Sequence, residues 1–278
     1  MKILLINSIF YPAIEWGGPI TATYDLARKL SEEGHDVMVY TSDALDYNTN
    51  MNIERRVVMP EGFDIRYFKN RSKHFRYFFT PGMILSILKN ANKFDIIHIN
   101  SYRQFQDMIS YFILSLLKKS YIITAHGSVL VDGKGQLYKK IYDLFIGKKL
   151  LHNAKKIIAF RTEQANDYEK LGVEKNQIQI IPNTIDIQKL PKKGSLRNSL
   201  NISNIEKIIM YLGRIDEKKG VGVLIEAFAK IKTNNIHLVI AGPDFDFKEN
   251  AQKLINDLGI DNRVHFTGLL DKKKKFEA

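Results

Sequence analysis

Residues 2–42 read KILLINSIFYPAIEWGGPITATYDLARKLSEEGHDVMVYTS, and this stretch decides the fold class. Residues 2–7 form a short apolar run, which is typical of a buried strand. Residues 19–33 carry apolar side chains at helical spacing, and Gly34 follows as a stop signal for the helix. A second strand-like run covers residues 36–42. A strand, a helix and a strand in this order predict a βαβ unit with parallel strands.

The same alternation continues up to residue 186. Further strand-like runs lie at residues 63–68, 95–100, 121–126, 155–160 and 177–181. The run Ile96-Ile97-His98-Ile99 is almost wholly apolar, as expected for a parallel strand that helices cover on both faces. We therefore predict a doubly wound, Rossmann-like domain over residues 1–186.

A polar stretch at residues 187–205 contains Pro191 and Gly194, and we interpret it as a linker with at most a short helix. The alternation then restarts over residues 206–278. Its strand-like runs lie at 207–212, 237–241 and 264–267, and its helical patterns at 221–231 and 247–258. Three strands are too few for a sheet covered on both faces. The predicted fold class is α/β with two Rossmann-like doubly wound domains, the second incomplete.

The composition limits the classes of function. The 278 residues are 45% hydrophobic and 26% charged, which suits a globular chain rather than a disordered chain or a membrane bundle. The lack of cysteine excludes disulfides, thiolate metal sites and a cysteine nucleophile, and we expect a cytoplasmic protein. The 42 Lys and Arg exceed the 30 Asp and Glu, which favours anionic partners such as nucleotides, phospholipid surfaces or nucleic acid.

Residues 211–220, YLGRIDEKKG, lie between a predicted strand and a predicted helix. The first turn of a helix offers unpaired N–H groups and the positive end of the helix dipole, so it attracts anions. Arg214 can bind two phosphate oxygens, Lys219 adds a point charge, and Gly220 permits close backbone approach. The pattern fits a diphosphate site. A solvated basic turn is the alternative.

The turn Gly17-Gly18-Pro19 leads from the first strand into the first helix. Two glycines let a phosphate or another substrate group approach the backbone, and proline is well tolerated in a first helical turn. A plain turn explains the same residues. The glycine-rich dinucleotide fingerprint is missing from the sequence, which argues against a Rossmann oxidoreductase.

His126 stands at the end of the predicted strand 121–126, in the sequence Thr-Ala-His-Gly. Ligands bind at the carboxyl edge of open α/β sheets, so this position favours a site role. An imidazole bonded to a neighbouring loop is the alternative. His98 and His265 alternate with apolar neighbours and have no metal-ligand spacing, so we interpret both as structural.

Residues 69–79, KNRSKHFRYFF, interleave basic and aromatic side chains without an acid. Such a segment could lie on anionic lipid or bind single-stranded nucleic acid. A solvated loop with buried aromatic rings is the alternative. The basic charge is spread over both predicted domains and no recognition motif is present, which argues against a nucleic-acid partner.

Taken in order, these motifs resemble a family 4 glycosyltransferase of the two-domain GT-B architecture. The resembling segments are Gly17-Gly18, 124–127, 182–186, 212–214 with Lys219-Gly220, 239–242 and 264–268. The resemblance spans nearly the whole chain. It implies a hexosyltransferase-type enzyme that moves a sugar from a nucleotide-diphosphate donor, with retention, to a saccharide or lipid-linked acceptor in polysaccharide or glycoconjugate biosynthesis.

The resemblance also implies roles for particular residues, with no metal and no cofactor beyond the donor. Arg214 and Lys219 would bind the diphosphate, and Gly17 and Gly18 would approach it from the acceptor domain. His126 would be catalytic and face the donor sugar. The nucleotide would lie against Gly242, Val264 and Phe266. The enzyme would work in the cytoplasm, with a peripheral contact to the inner face of an anionic membrane.

Two departures from the family pattern bear on activity. Thr184 stands where the family motif usually has glycine. The family's paired-glutamate motif would fall beyond residue 278, so we expect a chain truncated within its donor domain. A non-catalytic module that binds nucleotide or a lipid surface is therefore the alternative function.

Overall fold

The computed structural model describes residues 1–46, 48–72, 77–129, 135–183 and 196–270. The chain divides into two compact units, Met1–Thr184 and Ile185–Ala278, called unit 1 and unit 2 below. Part of the predicted linker, residues 187–195, lies outside the described residues, as do residues 73–76 of the basic segment and residues 184–186. In the rest of the predicted linker, residues 196–199 are helical.

Unit 1 is built mainly from alternating strands and helices. Its strands are β1 (Lys2–Ile6), β2 (Asp36–Ser42), β3 (Arg56–Val58), β4 (Asp64–Phe68), β5 (Ile96–Ile99), β6 (Ile122–Ile123), β7 (Lys156–Ala159) and β8 (Ile178–Ile180). Its helices are α1 (Gly18–Glu32), α2 (Pro81–Asn90), α3 (Phe105–Leu116), α4 (Gln136–Tyr142), α5 (Lys148–His152) and α6 (Thr162–Lys170). A π-helical turn, Asp143–Gly147, joins α4 to α5.

The eight strands form one sheet in the order β3-β4-β2-β1-β5-β6-β7-β8. All neighbours pair in parallel except β3 and β4, which pair antiparallel. From β1 the chain first builds β2 and β4 on one side and then crosses to build β5 on the other. The direction of winding therefore reverses between β1 and β5.

Alternate side chains of β1 supply two separate cores. Ile3 and Leu5 pack with residues of α1 on one face of the sheet. Leu4 and Ile6 pack with residues of α2, α3 and α5 on the other face. Since successive residues of a strand point to opposite faces, this division shows that helices cover the sheet on both sides. Unit 1 is thus doubly wound, as the sequence predicts.

Unit 2 has a smaller sheet. Its elements are α7 (Leu196–Ser199), β9 (Lys207–Leu212), α8 (Val221–Ala229), β10 (Ile236–Ala241), α9 (Lys248–Asp257) and β11 (Val264–Gly268). The strands are parallel in the order β11-β10-β9, so the winding keeps one direction in residues 196–270. Leu238 and Ile240 of β10 form one core with residues of both α8 and α9.

The predicted strands and helices correspond to observed elements with small shifts at their ends. Two differences matter. The edge strand β3 was not predicted, because its three residues are too short for a periodic pattern. The strand predicted at 121–126 ends at Ile123. In the described parts of the chain, no helix has the length and apolar character needed to cross a membrane.

Candidate functional site

A cavity of about 160 Å³ lies in unit 1, at the carboxyl ends of β1 and β5. These are the neighbouring strands at which the winding of the sheet reverses. In open α/β sheets, ligands bind at such a point, because the loops diverge there and leave a crevice. The lining residues follow β1, begin α1, or follow β5 and β6, and include Asn7, Ser8, Trp16, Pro19, Asn100, Ser101, Tyr102, Ala125 and His126.

Three polar atoms of the cavity-lining side chains are buried without a hydrogen-bond partner among the described residues. They are Asn7 Oδ1, Gln104 Oε1 and His126 Nε2. Burying a polar atom without a hydrogen-bond partner costs free energy, because the atom loses its bonds to water. A ligand with matching polar groups would offset that cost. These three atoms therefore make the cavity suitable for a ligand that carries hydroxyl groups.

His126 lies beyond its strand, so the prediction that it ends the strand was wrong. Its φ of 48° and the φ of 79° at Gly127 are both in the left-handed region, which turns the chain out of the sheet after Ile123. The ring lies 5.3 Å from that of Phe160, between centroids. Burial lowers the pKa of His126 to about 4, so the imidazole is neutral near pH 7.

His98 is structural, as the sequence suggests. It is buried in β5, and its Nε2 lies 2.7 Å from Thr124 Oγ1. Burial lowers its pKa to about 3, with a smaller contribution from His126. In unit 2, His265 Nε2 lies 3.0 Å from His237 Nδ1, and His237 Nε2 lies 3.2 Å from Glu206.

The turn before α1 borders the same cavity. Gly17 has a φ of 93°, and α1 begins at Gly18 with Pro19 in its first turn. A Cβ built on either glycine would meet no atom within 4 Å, so the space beside both is open. Trp16, which precedes the two glycines in the sequence, and Pro19, which follows them, both line the cavity. The turn can thus present backbone to a bound group.

A buried ion pair that the sequence analysis missed holds the loop after β5. Arg103 has a φ of 63° and donates to both carboxylate oxygens of Asp143. Its guanidinium also donates to the carbonyl oxygens of Ser128 and Val129. Tyr102 OH donates to Asp143 Oδ1 at 2.9 Å. The pair therefore ties the loops that carry Tyr102 and Ser128, two lining residues, to the π-helical turn.

A second buried carboxylate lies at the start of α3. Asp107 accepts hydrogen bonds from Ser101 Oγ at 3.1 Å, Tyr142 OH at 2.6 Å and Gln104 N at 2.8 Å. Burial raises its pKa to about 6. The polar run SYRQFQD at residues 101–107, directly after an apolar strand, is the sequence signal that could have located both networks. Together they fix the cavity wall.

In unit 2, backbone bonds join the loops at the carboxyl ends of β9 and β10. Gly213 N donates to Ala241 O, Ile215 N to Pro243 O and Phe245 N to Ile215 O, each at 2.9 Å. A Cβ on Gly242 would lie 1.8 Å from Gly213 O, so only glycine fits there. The two loops are therefore held together by main chain.

Arg214 lies in this joined pair of loops and Lys219 lies just before α8. The Arg214 guanidinium carbon is 4.6 Å from the ring centroid of Phe245, and Arg214 O accepts a hydrogen bond from Tyr211 OH at 2.8 Å. Lys219 is exposed, and Gly220 follows it with a φ of 70° as the N-cap of α8. Both cations thus lie in the loop between β9 and α8, where an anion would meet the helix dipole.

The three predicted nucleotide contacts occupy different parts of the sheet. Gly242 N donates to Gly268 O at 2.9 Å, at the carboxyl edge. Phe266 is half-buried in β11, with Lys248 Nζ 5.6 Å from its ring centroid. Val264 begins β11, and its side chain lies in the core of unit 2. The structure therefore brings Gly242 to the edge with Arg214, while Val264 lies at the other end of its strand.

No group of three or more His, Asp or Glu side chains suited to a metal ion occurs in residues 1–46, 48–72, 77–129, 135–183 or 196–270. Asp244 in the joined loops accepts hydrogen bonds from Phe247 N and Lys248 N, at 3.1 and 3.0 Å. It therefore caps the start of α9.

Comparison with protein-family models gives two matches. Residues 16–189 match Glycosyltransferase Family 4, and residues 192–277 match Glycosyl transferases group 1. Among curated proteins, the alpha-monoglucosyldiacylglycerol synthase of Streptococcus pneumoniae is 27% identical over 97% of this chain. The chain spans 62% of the length of that relative.

Two solved structures are similar in fold. Alr3699/HepE of Anabaena, crystallised with UDP-glucose, superposes with a TM-score of 0.74 at 18% identity, covering 98% of this chain and 70% of its own. WaaG, a glycosyltransferase involved in lipopolysaccharide biosynthesis, gives a TM-score of 0.69 at 18% identity, covering 99% and 71%. The α/β architecture is that of GT-B glycosyltransferases, which have Rossmann-like domains.

Proposed function

We propose that this chain, which belongs to glycosyltransferase family 4, is the part of a transferase that binds a nucleotide-diphosphate sugar and its acceptor. One observation carries the proposal: Arg214 is held in loops that main-chain bonds and a Phe245 ring contact position at the carboxyl edge of unit 2. A guanidinium fixed before binding loses little freedom when it meets a diphosphate. The likeness to a fold that holds UDP-glucose supports this ligand class.

In the proposed reaction the diphosphate gains negative charge as the sugar leaves. Arg214 and Lys219 would stabilise that charge, which is electrostatic catalysis of leaving-group departure and would need no metal. Gly242 and Phe266 would border the nucleotide. The backbone of the strand that begins at Val264 would also contact the nucleotide. Transfer of a hexose with retention belongs to the same proposal.

The unit 1 cavity would hold the hydroxyl-bearing groups of the reaction. Neutral His126 can accept a hydrogen bond from a sugar hydroxyl or donate one to it, and Asn7 Oδ1 can accept one. Gly17 and Gly18 leave open space for a substrate group beside them. His126 is proposed as the catalytic residue of this cavity because it is polar, neutral and unpaired there.

The acceptor would be a saccharide or a lipid-linked saccharide. WaaG is involved in lipopolysaccharide biosynthesis, and the S. pneumoniae relative is an alpha-monoglucosyldiacylglycerol synthase; both support this class. We also propose a peripheral contact with an anionic membrane on its cytoplasmic face. Exposed Lys69 and Arg71 of the basic segment support it.

Thermal shift and calorimetry with UDP and UDP-glucose test the diphosphate site. Arg214→Ala should weaken binding at least tenfold, since charge-assisted hydrogen bonds contribute about 1.5–3 kcal/mol. Lys219→Ala should weaken it less, because its side chain is exposed. Lys218→Ala, the exposed neighbouring lysine, is the matched control and should leave binding unchanged.

Unchanged affinity in both the Arg214 and Lys219 variants would reject the diphosphate assignment. A transfer assay with UDP-glucose separates the enzyme from the alternative, a non-catalytic module that binds nucleotide or lipid. Binding without transfer or donor hydrolysis would favour the module.

A further inference from the structure

The helical stretch of residues 136–152, formed by α4, the π-helical turn and α5, has an exposed apolar face. At 1.5 Å per residue this stretch is about 25 Å long. Leu137, Ile141, Leu144 and Phe145 are 73, 49, 64 and 65% exposed, at helical spacing. Scattered exposed apolar residues are ordinary, but a row of large ones along one helix marks a contact surface.

The exposed charges on this stretch are of one sign. Its lysines are Lys139, Lys140, Lys148 and Lys149, of which the last three are exposed, and His152 at its end is exposed as well. Its single acidic residue, Asp143, is buried and paired with Arg103. The exposed charge of residues 136–152 is therefore wholly positive.

The basic segment predicted from the sequence meets this helix. Tyr77 OH and Tyr138 OH are 2.6 Å apart, and the two rings meet edge to face. Tyr138 is 45% exposed, and Phe79 nearby in the sequence is 43% exposed and packs on Phe105. The described end of the segment thus contacts the helical stretch through Tyr77 and Tyr138.

We propose that the exposed face of residues 136–152 docks this protein on the surface of an anionic lipid bilayer. Leucine, isoleucine and phenylalanine side chains would enter the boundary between head groups and acyl chains, while lysines contact lipid phosphates. Tyrosine rings favour the same interface. The helix lies parallel to such a surface and does not cross it.

A second copy of the chain fits this face less well. A two-fold interface brings identical patches together, so the lysines of one copy would face those of the other. Like charges at an interface oppose association, whereas anionic lipid neutralises all of them. The charge pattern therefore favours a membrane over a dimer.

This inference deepens the membrane contact of the proposed function and rests on it, but it needs neither nucleotide binding nor sugar transfer. The test uses the full 278-residue chain and vesicle sedimentation. One set of vesicles mixes phosphatidylglycerol with phosphatidylcholine, and the other contains phosphatidylcholine alone. The wild-type chain should bind the anionic vesicles, and added salt should weaken binding because screening reduces the attraction.

Two variants separate the apolar and ionic contributions. Leu144→Gln with Phe145→Gln should weaken binding at least about tenfold, through the lost apolar burial. Lys140→Glu with Lys148→Glu should weaken it at least about tenfold, through the lost attraction of lysine to anionic lipid. These side chains are exposed, so the fold should persist, which circular dichroism checks. The matched controls are Ile205→Gln and Lys230→Glu with Lys253→Glu, at exposed positions of unit 2, and should bind as wild type.

Three outcomes would overturn the proposal: no binding of the wild-type chain, equal binding to both kinds of vesicle, or full binding by both helix variants. A dimer in light scattering that the Leu144 and Phe145 variant loses, without vesicle binding, would assign the face to a second copy. A UDP-glucose thermal shift is measured on the same samples. Loss of that shift with vesicle binding intact would reject only the proposed transferase function.

Discussion

The two units hold their sheet edges by different means. In unit 1 the winding reverses between β1 and β5, and side chains hold the diverging loops, above all Arg103 with Asp143. In unit 2 the described strands wind in one direction, and main-chain bonds join the β9 and β10 loops around Gly242. The loops that diverge around the unit 1 crevice are thus held in place by side-chain contacts. The unit 2 loops lie close enough for main-chain hydrogen bonds, which requires a residue without a Cβ at position 242.

Replacing Gly242 with alanine should have the largest effect. The new Cβ would lie 1.8 Å from Gly213 O, so the loops must separate. We expect the amides of Gly213, Ile215 and Phe245 to lose protection in hydrogen exchange, while those of unit 1 keep theirs. Gly259→Ala is the matched control, since that glycine has a φ of 63° but no atom within 4 Å of a new Cβ. Retained protection in Gly242→Ala would contradict the main-chain account.

Replacing Asp143 with alanine should destabilise unit 1 by about 3–5 kcal/mol, because Arg103 would be left buried without its carboxylate. The fluorescence of Trp16, the single tryptophan of the sequence and a residue of unit 1, reports this unfolding in urea. The exposed Asp257→Ala of unit 2 is the control and should shift the transition by less than about 0.5 kcal/mol. If both variants unfold alike, the side-chain network does not hold the cavity wall.

Acidification should destabilise unit 1 through its two buried histidines. Folding lowers the pKa of His98 to about 3 and of His126 to about 4, from 6.5, so the unfolded chain binds more protons below pH 6.5. Each histidine should therefore reduce the free energy of unfolding by up to about 1.4 kcal/mol per pH unit as pH falls from 6.5 to 4.

Asp107 acts in the opposite sense. Its pKa is raised from 3.8 to about 6, so the stability it contributes is present at low pH and is lost as pH rises through 6. Trp16 fluorescence in urea at pH 7, 6 and 5 measures the balance. Asp107→Asn should steepen the fall and His126→Gln should flatten it. Identical pH profiles in both variants would contradict these assignments.

Replacing Gly18 with alanine should have the smallest effect on stability, a gain of about 0.4–1 kcal/mol. The position is helical and open, and alanine reduces the entropy of the unfolded chain. If a substrate group lies against this backbone, affinity for UDP-glucose or the acceptor should fall even though stability rises. The Trp16 transition and calorimetry on the same samples compare the two effects. Reduced stability would contradict the open space assigned to this turn.

The features that the sequence could predict are those that depend on neighbouring residues. Strands such as β1 and β5 are short apolar runs between turn residues, so their number and parallel arrangement follow from the alternation of strand-like and helical segments along the chain. The joined loops of unit 2 leave a local trace as well, since Gly213 and Gly242 stand at strand ends. The resemblance to family 4 glycosyltransferases depends on several such short motifs that occur in a fixed order.

The wall of the unit 1 cavity left only a partial trace, the polar run at residues 101–107 directly after an apolar strand. Arg103 and Asp143 are far apart in the chain, and nothing local relates a cation in a loop to a carboxylate in a helix. The left-handed backbone at His126 was missed because its strand-like neighbours favour extension. The edge strand β3 depends on pairing with β4, which tertiary structure decides.

The central position of β1 has a consequence for synthesis. β1 leaves the ribosome before both of its partners: β2 follows at residues 36–42, but β5 follows only at residues 96–99. A growing chain can thus assemble β1, β2 and β4 beneath α1 while one flank of β1 still lacks a neighbour. An unpaired strand flank invites pairing with other chains, so this interval is when a nascent chain is most exposed to misassembly.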